Sequence, residues 1–413
     1  MSQRVQYLFF DMNSYFASVA QAEEPHLMGR PVGILTSDAP GAGCIAASIE
    51  AKRAGVRMGT RQAEARQLCP GIVFRAVKHD VCVRYHHAIK NAAETVLPIQ
   101  RAFSVDEFSC LLMGSQQELS KAQELGRALQ AAIAREVHPA LRCSVGLGAT
   151  RLLAKIASDL EKPNGLHWLL PEEMPAKIAH LDLADLPGIS SAMKLRLERA
   201  GIANVTQLYN LDPKEARAIW RSVTGERFIR ELRGETVVWP ETQRSMFGHG
   251  QILSGANATA SGAKLVARRL LVKASARLRR EGYYARTLHI SAKCDQLGRQ
   301  AKEGKITPSQ DTLFLLQVFE RYWASFKLIK PLSVDVFLGG LTPTQNLEPD
   351  LFEPQADAKN QTPRQALCAS IDQLNRRFGQ DTMRFGQLPP MRVAYTGAKI
   401  AFGRIPVWQD FTE

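Results

Sequence analysis

The amino-acid sequence predicts an α+β multidomain protein on three observations. The chain has 413 residues, 45% hydrophobic and 23% charged, which at roughly 100–200 residues per domain suits two to four packed units. Apolar runs of strand length alternate with longer stretches of helical periodicity up to about residue 341. The positive charge is uneven: of a formal +13, an excess of 10 lies between Arg244 and Gly340, where 16 Lys/Arg stand against 6 Asp/Glu.

Taken in order, Tyr7–Phe10 is an apolar run ending at Asp11, the pattern of a buried strand that delivers a carboxylate at its end. A helix-compatible stretch starts at Tyr15. The turn Ala39-Pro40-Gly41-Ala42-Gly43 precedes a small-residue segment and a helical Ile49–Ala54, closed by Gly55. Ala102–Leu112 (AFSVDEFSCLL) reads as one β-rich strand with Asp106 and Glu107 adjacent inside it. Strand alternation sends such neighbours to opposite faces, a costly placement for two acids. Glu118–Val137 is helix-rich and Leu141–Gly148 strand-like, completing an α/β unit. Small helices follow around Leu183–Leu208, then a Pro- and Thr-marked junction near Trp239–Arg244, the basic α/β region, and a tail with helix-like Thr362–Phe378.

The basic balance favours a polyanionic partner, nucleic acid or an anionic membrane surface. No run of about 18 apolar residues occurs, and the N-terminal apolar segment meets Asp11 too early for a signal peptide, so a soluble intracellular protein is expected. The seven cysteines, Cys44, Cys69, Cys82, Cys110, Cys143, Cys294 and Cys368, form no C-x-x-C pair and read as reduced structural thiols. In the basic region, Lys264, Arg268, Arg269, Lys273, Arg277, Arg279 and Arg280 share a stretch with Leu265, Leu270, Leu271 and Leu278 that allows an amphipathic helix. Its cations read equally as a solvated helix face. Tyr284–Lys293 alternates as a strand, with Thr287, His289, Ser291 and Lys293 on a polar face suited to a phosphate backbone, and Leu288, Ile290 and Ala292 opposite.

Asp11 at one strand end, with Asp106 and Glu107 on another, would make a three-carboxylate cluster if the strands are neighbours. Hard oxygen ligands of this kind hold Mg²⁺, and two such ions can serve an in-line phosphoryl transfer. On spacing alone, surface acids and a helix cap are the commoner reading.

The words around these acids are more specific. FFDMNSYFASV, FSVDEF and LAKIASDLEKPNG, in this order and spacing, resemble the Y-family translesion DNA polymerases, the core being similar to the DNA polymerase IV group with Lys162–Gly165 (KPNG) as a marker. The resemblance implies a right-hand fold: palm at residues 1–14 and 77–167, fingers at 15–76, a helical thumb at 168–240, and an α/β little finger at 244–341. A clamp-binding peptide and tail at 342–413 would complete the chain. It implies template-directed, low-fidelity synthesis by Mg²⁺-dependent transfer from dNTP to a primer 3′-hydroxyl, with two Mg²⁺ per site. Asp11, Asp106 and Glu107 match the metal-binding carboxylates and Met12 the backbone metal ligand. Phe16 falls at the steric gate, where an aromatic ring would collide with a 2′-hydroxyl. Tyr15 and Phe16 would give backbone N–H donors to the triphosphate, and Lys162 a point charge.

The sequence departs from the polymerase IV pattern at Ile49 and Lys52, where a Tyr and an Arg would grip the triphosphate. IAASIEAKRAGVRMG is nearer to the catalytic subunit of DNA polymerase V, and Lys52 is expected to contact phosphate. Asn13 replaces a frequent second acid that is not a metal carboxylate, so activity should survive. Leu186-Pro187-Gly188-Ile189 with Ala192–Ala200 resembles a helix-hairpin-helix, placing Gly188 and Ser190 at DNA phosphate. Glu348–Phe352 resembles the bacterial sliding-clamp peptide, with Leu351 and Phe352 as its anchors. The implied partners are primer-template DNA, dNTP and the sliding clamp, with no membrane. A monomer in the bacterial cytoplasm, associated with the nucleoid, is expected. The competing reading is a DNA- and clamp-binding mutasome scaffold with vestigial activity, favoured by Ile49 and Lys52; a nuclease using the same acids is more remote.

Overall fold

In the computed structural model the first strand, β1 (Tyr7–Met12), lies at the centre of a five-stranded sheet and is buried from Leu8 onward. Residues 3–36, 42–240, 243–346, 355–379, 381–387, 389, 400 and 405 are described, with side chains in the last long helix from 363. The chain divides into two compact units, residues 1–239 with 398–408, and residues 240–397 with 409–413.

In the first unit, helix α1 (Tyr15–Glu23) leaves the end of β1 through a left-handed Ser14. A three-stranded sheet then forms from β2 (Val32–Leu35), β3 (Cys44–Ala47) and β4 (Val73–Ala76), carrying the short helices α2 (Ile49–Arg53) and α3 (Gln62–Leu68). The chain returns through α4 (His79–Glu94) to the central sheet, whose other strands are β5 (Arg101–Ala102), β6 (Glu107–Leu111), β7 (Cys143–Gly148) and β8 (Leu166–Leu169), in the order β5-β6-β1-β7-β8. Helix α5 (Leu119–Glu136) runs between β6 and β7, and α6 (Arg151–Leu160) between β7 and β8.

Alternation along these strands decides what faces what. Leu8, Phe10 and Met12, with Phe108, Cys110, Val145 and Leu147, join Ile89 of α4 and Leu129 of α5 in one core. Phe9, Asp11, Glu107, Ser144, Gly146 and Gly148 are the alternate residues. Gly146 and Gly148 admit α6 at backbone contact: a Cβ on Gly146 would lie 2.0 Å from the Ala154 carbonyl oxygen. Thr150 caps α6, its Oγ1 accepting from Leu153 N and donating to Glu231 O at 2.8 Å. Beyond it a second cluster gathers α6 with α7 (Ser191–Arg199), α8 (Val205–Asn210), α9 (Pro213–Trp220) and α10 (Val223–Leu232).

The expected single strand Ala102–Leu112 is instead a hairpin. β5 folds back on β6, Arg101 opposite Ser109 and Ala102 opposite Phe108, with a bend over 104–106. The bend takes Asp106 out of the strand, so the two acids escape the opposite-face placement that alternation would impose.

The second unit is a four-stranded antiparallel sheet in the order β11-β10-β12-β9, from β9 (Met246–Ile252), β10 (Tyr283–Cys294), β11 (Gly298–Ser309) and β12 (Pro331–Gly339), with β13 (Thr342–Pro343) on the end of β10. Helices α11 (Ala260–Arg280) and α12 (Thr312–Trp323) cover one face, burying Leu288, Ile290 and Ala292 with Val334, Val336 and Leu338. The tail helix α13 (Gln355–Phe378) starts before the expected Thr362 and packs on this unit. Cys368 and Ile371 are buried, and Asp372 meets Arg279 of α11 at 2.7 and 3.0 Å.

Candidate active site

Antiparallel pairing sets Asp11 of β1 directly opposite Glu107 of β6. The Met12 N–H donates to the Asp106 carbonyl at 2.9 Å, which ties the end of β1 to the bend. The two strands thus bring together the three acids that sequence reading could place only on separate elements. Asp11 is 8% exposed.

Their charges are answered from α6 and the turn that follows it. Lys155 Nζ lies 2.5 Å from Asp11 Oδ2, 2.9 Å from Glu107 Oε1 and 3.3 Å from Asp159, and Lys162 Nζ lies 3.0 Å from Asp11 and 2.7 Å from Asp159. Burial alone would raise the Asp11 pKa, but Lys155 and Lys162 hold it below its ordinary value. Burial opposes the charge of Lys155, yet Asp11, Asp159 and Glu107 raise its pKa. Asp106 moves the other way, to about 6, through burial and the neighbouring acids, although the Ser104 hydroxyl donates to its Oδ1 at 2.5 Å. Among the described residues no three His, Cys, Asp or Glu side chains close around one point as an ion cage. The donor set is still one of hard oxygens with a cation already among them, which suits a hard divalent ion.

Lys155 and Asp159 were missed by sequence reading, although Lys155, Asp159 and Lys162 stand at i, i+4 and i+7 within LAKIASDLEKPNG, a spacing that shares one helix face. Asn13 was undervalued. Its Oδ1 accepts from Asn164 N at 2.7 Å and its Nδ2 donates to Ser144 Oγ at 3.1 Å, which pins the turn carrying Lys162 to the end of β1. In that turn Asn164 has φ 59°, and Gly165 is obligatory because a Cβ would lie 2.1 Å from the Glu161 carbonyl oxygen.

Tyr15 and Phe16 open α1, so their N–H groups belong to a first helical turn without intrahelical acceptors. The Tyr15 ring is buried, its hydroxyl donating to Cys82 O at 2.5 Å. Phe16 is half-buried, edge-on to Tyr15 at 5.6 Å. Lys52 lies exposed near the end of α2, capped by Ser48. Partial removal from water and the positive charge of Lys162 lower its pKa, while Asp11 and Asp106 act oppositely, so it shares the field of the acid cluster.

Elsewhere two expectations need correction, and Ser190 has a local role. Ser190 is the N-cap of α7, accepting from Met193 N at 3.3 Å, and only a one-turn 3-10 segment, Leu183–Asp185, precedes the Gly188 turn. Ser291 is not open for phosphate: it is 1% exposed, and Arg299 spans from its Oγ at 2.7 Å to Asp335 at 2.6 Å. The cations of α11 are not a solvated face, because Lys264 and Arg268 pair with Glu320, Arg269 with Asp381, and Arg279 with Asp372. Thr287, His289 and Lys293 share the strand face away from the helices, His289 meeting Glu303 at 3.3 Å. Leu351 and Phe352 lie outside the described residues.

Comparison with known proteins fits this arrangement. Solved structures that share the fold include a Y-family DNA polymerase chimera of Dbh and Dpo4 (TM-score 0.66, 19% identity, 82% of this chain and 99% of that one) and an insertion ternary complex of Dbh DNA polymerase (TM-score 0.53, 19% identity, 81% and 98%). The fold is therefore that of the Y-family DNA polymerases. In sequence, residues 10–159 match the impB/mucB/samB family and residues 247–351 its C-terminal domain. DNA polymerase IV of Moorella thermoacetica is 31% identical over 96% of this chain and 98% of its own, and that of Pelotomaculum thermopropionicum 29% over 91% and 93%. The chain belongs to the impB/mucB/samB family, as a Y-family DNA polymerase of the DNA polymerase IV type.

Proposed function

We propose that the chain copies damaged template DNA, adding a nucleotide from dNTP to a primer 3′-hydroxyl at the acid cluster of β1 and β6. The observation that carries this reading is the register of Asp11 opposite Glu107 with Asp106 at the adjoining bend. Asp11, Asp106, Glu107 and the Met12 carbonyl are the groups to hold two Mg²⁺. Mg²⁺ bound there supplies charge neutralisation for the transferring phosphoryl group and a more acidic attacking hydroxyl.

The chain's own residues do the rest. The first-turn N–H groups of Tyr15 and Phe16 donate to the triphosphate, and Lys162, positioned by Asn13 and the Asn164 turn, opposes its charge. Lys52 extends the same positive edge. Phe16 lies where a ring against the sugar excludes a 2′-hydroxyl. Gly188 of the turn before α7 and the Thr287, His289 and Lys293 face follow the DNA backbone without reading bases. The palm, fingers, thumb and little finger correspond to residues 1–14 with 77–167, 15–76, 168–240 and 244–341, and Leu351 and Phe352 serve as the clamp anchor. Among the described residues no helix is long and apolar enough to cross a membrane.

Primer extension by the purified full chain with Mg²⁺ and four dNTPs, on an intact template and on one carrying an abasic site, tests this. Template-directed extension that continues opposite the lesion is expected. DNA binding without extension on either template would contradict it.

A further inference from the structure

Within the acid cluster, Lys155 and Asp159 stand outside the nucleotide and DNA contacts proposed above. The Lys155 ammonium joins Asp11 and Glu107, 2.5 and 2.9 Å away, the two carboxylates that face each other in strand register. Its position is built rather than incidental: the side chain is 15% exposed, and Nζ lies 5.3 Å from the ring centre of buried Phe9. An ammonium and a divalent ion spanning these two acids need the same oxygen lone pairs, and the two cations repel each other in a part-buried setting. The same helix offers an exit. Asp159, one turn along, is 3.3 Å from Lys155 and also holds Lys162 at 2.7 Å.

We infer that Lys155 is an intramolecular counter-ion that competes with the divalent cation for Asp11 and Glu107, and that Asp159 is the positioning residue onto which it withdraws when the ion binds. This rests on the metal-binding reading of the acids proposed above. The arrangement keeps three clustered carboxylates from repelling one another and sets the ion's affinity by exchange of one cation for another. It predicts opposite effects from the two partners. Removing the competitor strengthens metal binding; removing its alternative acceptor weakens it.

Mn²⁺ binding to the full-length protein, read from the electron paramagnetic resonance signal of the free ion, tests this in wild type, Lys155→Met and Asp159→Asn. Melting curves of each protein in EDTA and in Mg²⁺ accompany it. Lys155→Met should bind Mn²⁺ about tenfold more tightly, the change that one modest charge coupling produces. It should melt below wild type in EDTA and recover in Mg²⁺. Asp159→Asn should bind several-fold more weakly while melting close to wild type. Equal melting losses for Lys155→Met with and without Mg²⁺, or shifts of the two variants in the same direction, would overturn the inference. If Lys155→Met does not fold, Asp159→Asn decides alone, and unchanged or tighter binding by it is the overturning result. If wild type binds no Mn²⁺, or Asp106→Asn leaves binding intact, the metal reading itself fails and the inference falls with it.

Discussion

The two units handle charge in opposite ways. In the first, Asp11, Asp106 and Glu107 are gathered at one strand pair and only partly answered: Asp11 is held ionised by two lysines while Asp106 is pushed up to about 6 by burial. In the second, several cations of α11 meet acids brought from elsewhere in the chain. Glu320 of α12 takes Lys264 and Arg268, and the tail takes Arg269 and Arg279 through Asp381 and Asp372. A concentration of like charge therefore marks chemistry where several like charges crowd one point, and marks packing where acids from other elements meet it. The net charge of a segment does not distinguish these cases; pairing does.

The largest expected effect lies in the paired region. Arg279 donates to Asp372, to Gln310 O and to Thr312 Oγ1, with its side chain 7% exposed. Arg279→Ala would strand a part-buried carboxylate and an acceptor, at a cost of about 3–5 kcal/mol. Thermal melting should show a drop of roughly 10 °C in the second unit, and Arg279→Met combined with Asp372→Leu should restore most of it. A drop below one degree for the single variant would mean that the tail helix is not held by this pair.

Next in size is a titration beneath the acid bend. His86 is buried, stacked on Phe108 at 5.0 Å with Nδ1 2.8 Å from Val105 O, and burial depresses its pKa from 6.5 to about 4. Folded His86 stays neutral where the unfolded chain takes up a proton. Its contribution is therefore present above pH 6.5 and lost as pH falls towards 4, amounting to about 3 kcal/mol. Denaturation across that range should show a shallower pH dependence for His86→Gln than for wild type.

Phe16→Ala should relax discrimination against ribonucleotides by about tenfold or more, the scale of one lost steric contact. Single-nucleotide kinetics would detect it, and an unchanged ratio would remove Phe16 from the sugar.

The smallest effect returns to the pairing contrast. Lys293 is exposed on the open sheet face, so Lys293→Ala should lower the salt dependence of DNA binding by about one ion. Lys264→Ala, whose partner is Glu320 at 2.7 Å, should leave that slope unchanged. Equal slopes for both variants would show that pairing does not decide which cations meet DNA.

Much of the first unit was legible because its motifs are local. An apolar run ending in Asp11, the pair Asp106-Glu107 and KPNG are each contiguous; the β1–β6 register joins the acids, and Asn13 ties the KPNG turn to β1. What was hidden depended on contacts across the chain. Ala102–Leu112 looked like one strand because the bend at 104–106 carries no Gly or Pro. The arginines of α11 looked solvated because their partners stand some 50 to 110 positions away, at Glu320, Asp372 and Asp381. Periodicity did expose one strand of the second unit, since Leu288, Ile290 and Ala292 alternate with polar neighbours and are buried as alternation requires. It could not show that Arg299 and Asp335 enclose Ser291.

The central claim is that the β1 and β6 acids carry the chemistry and not the grip on DNA. Single-turnover nucleotide addition by Asp106→Asn, measured beside its DNA affinity at the same Mg²⁺ concentration, tests it most directly. Addition should fall by about a thousandfold or more while DNA affinity stays within about twofold of wild type, because no phosphate-facing cation is touched. Near-normal addition by the folded variant, or a parallel loss of both quantities, would contradict the account.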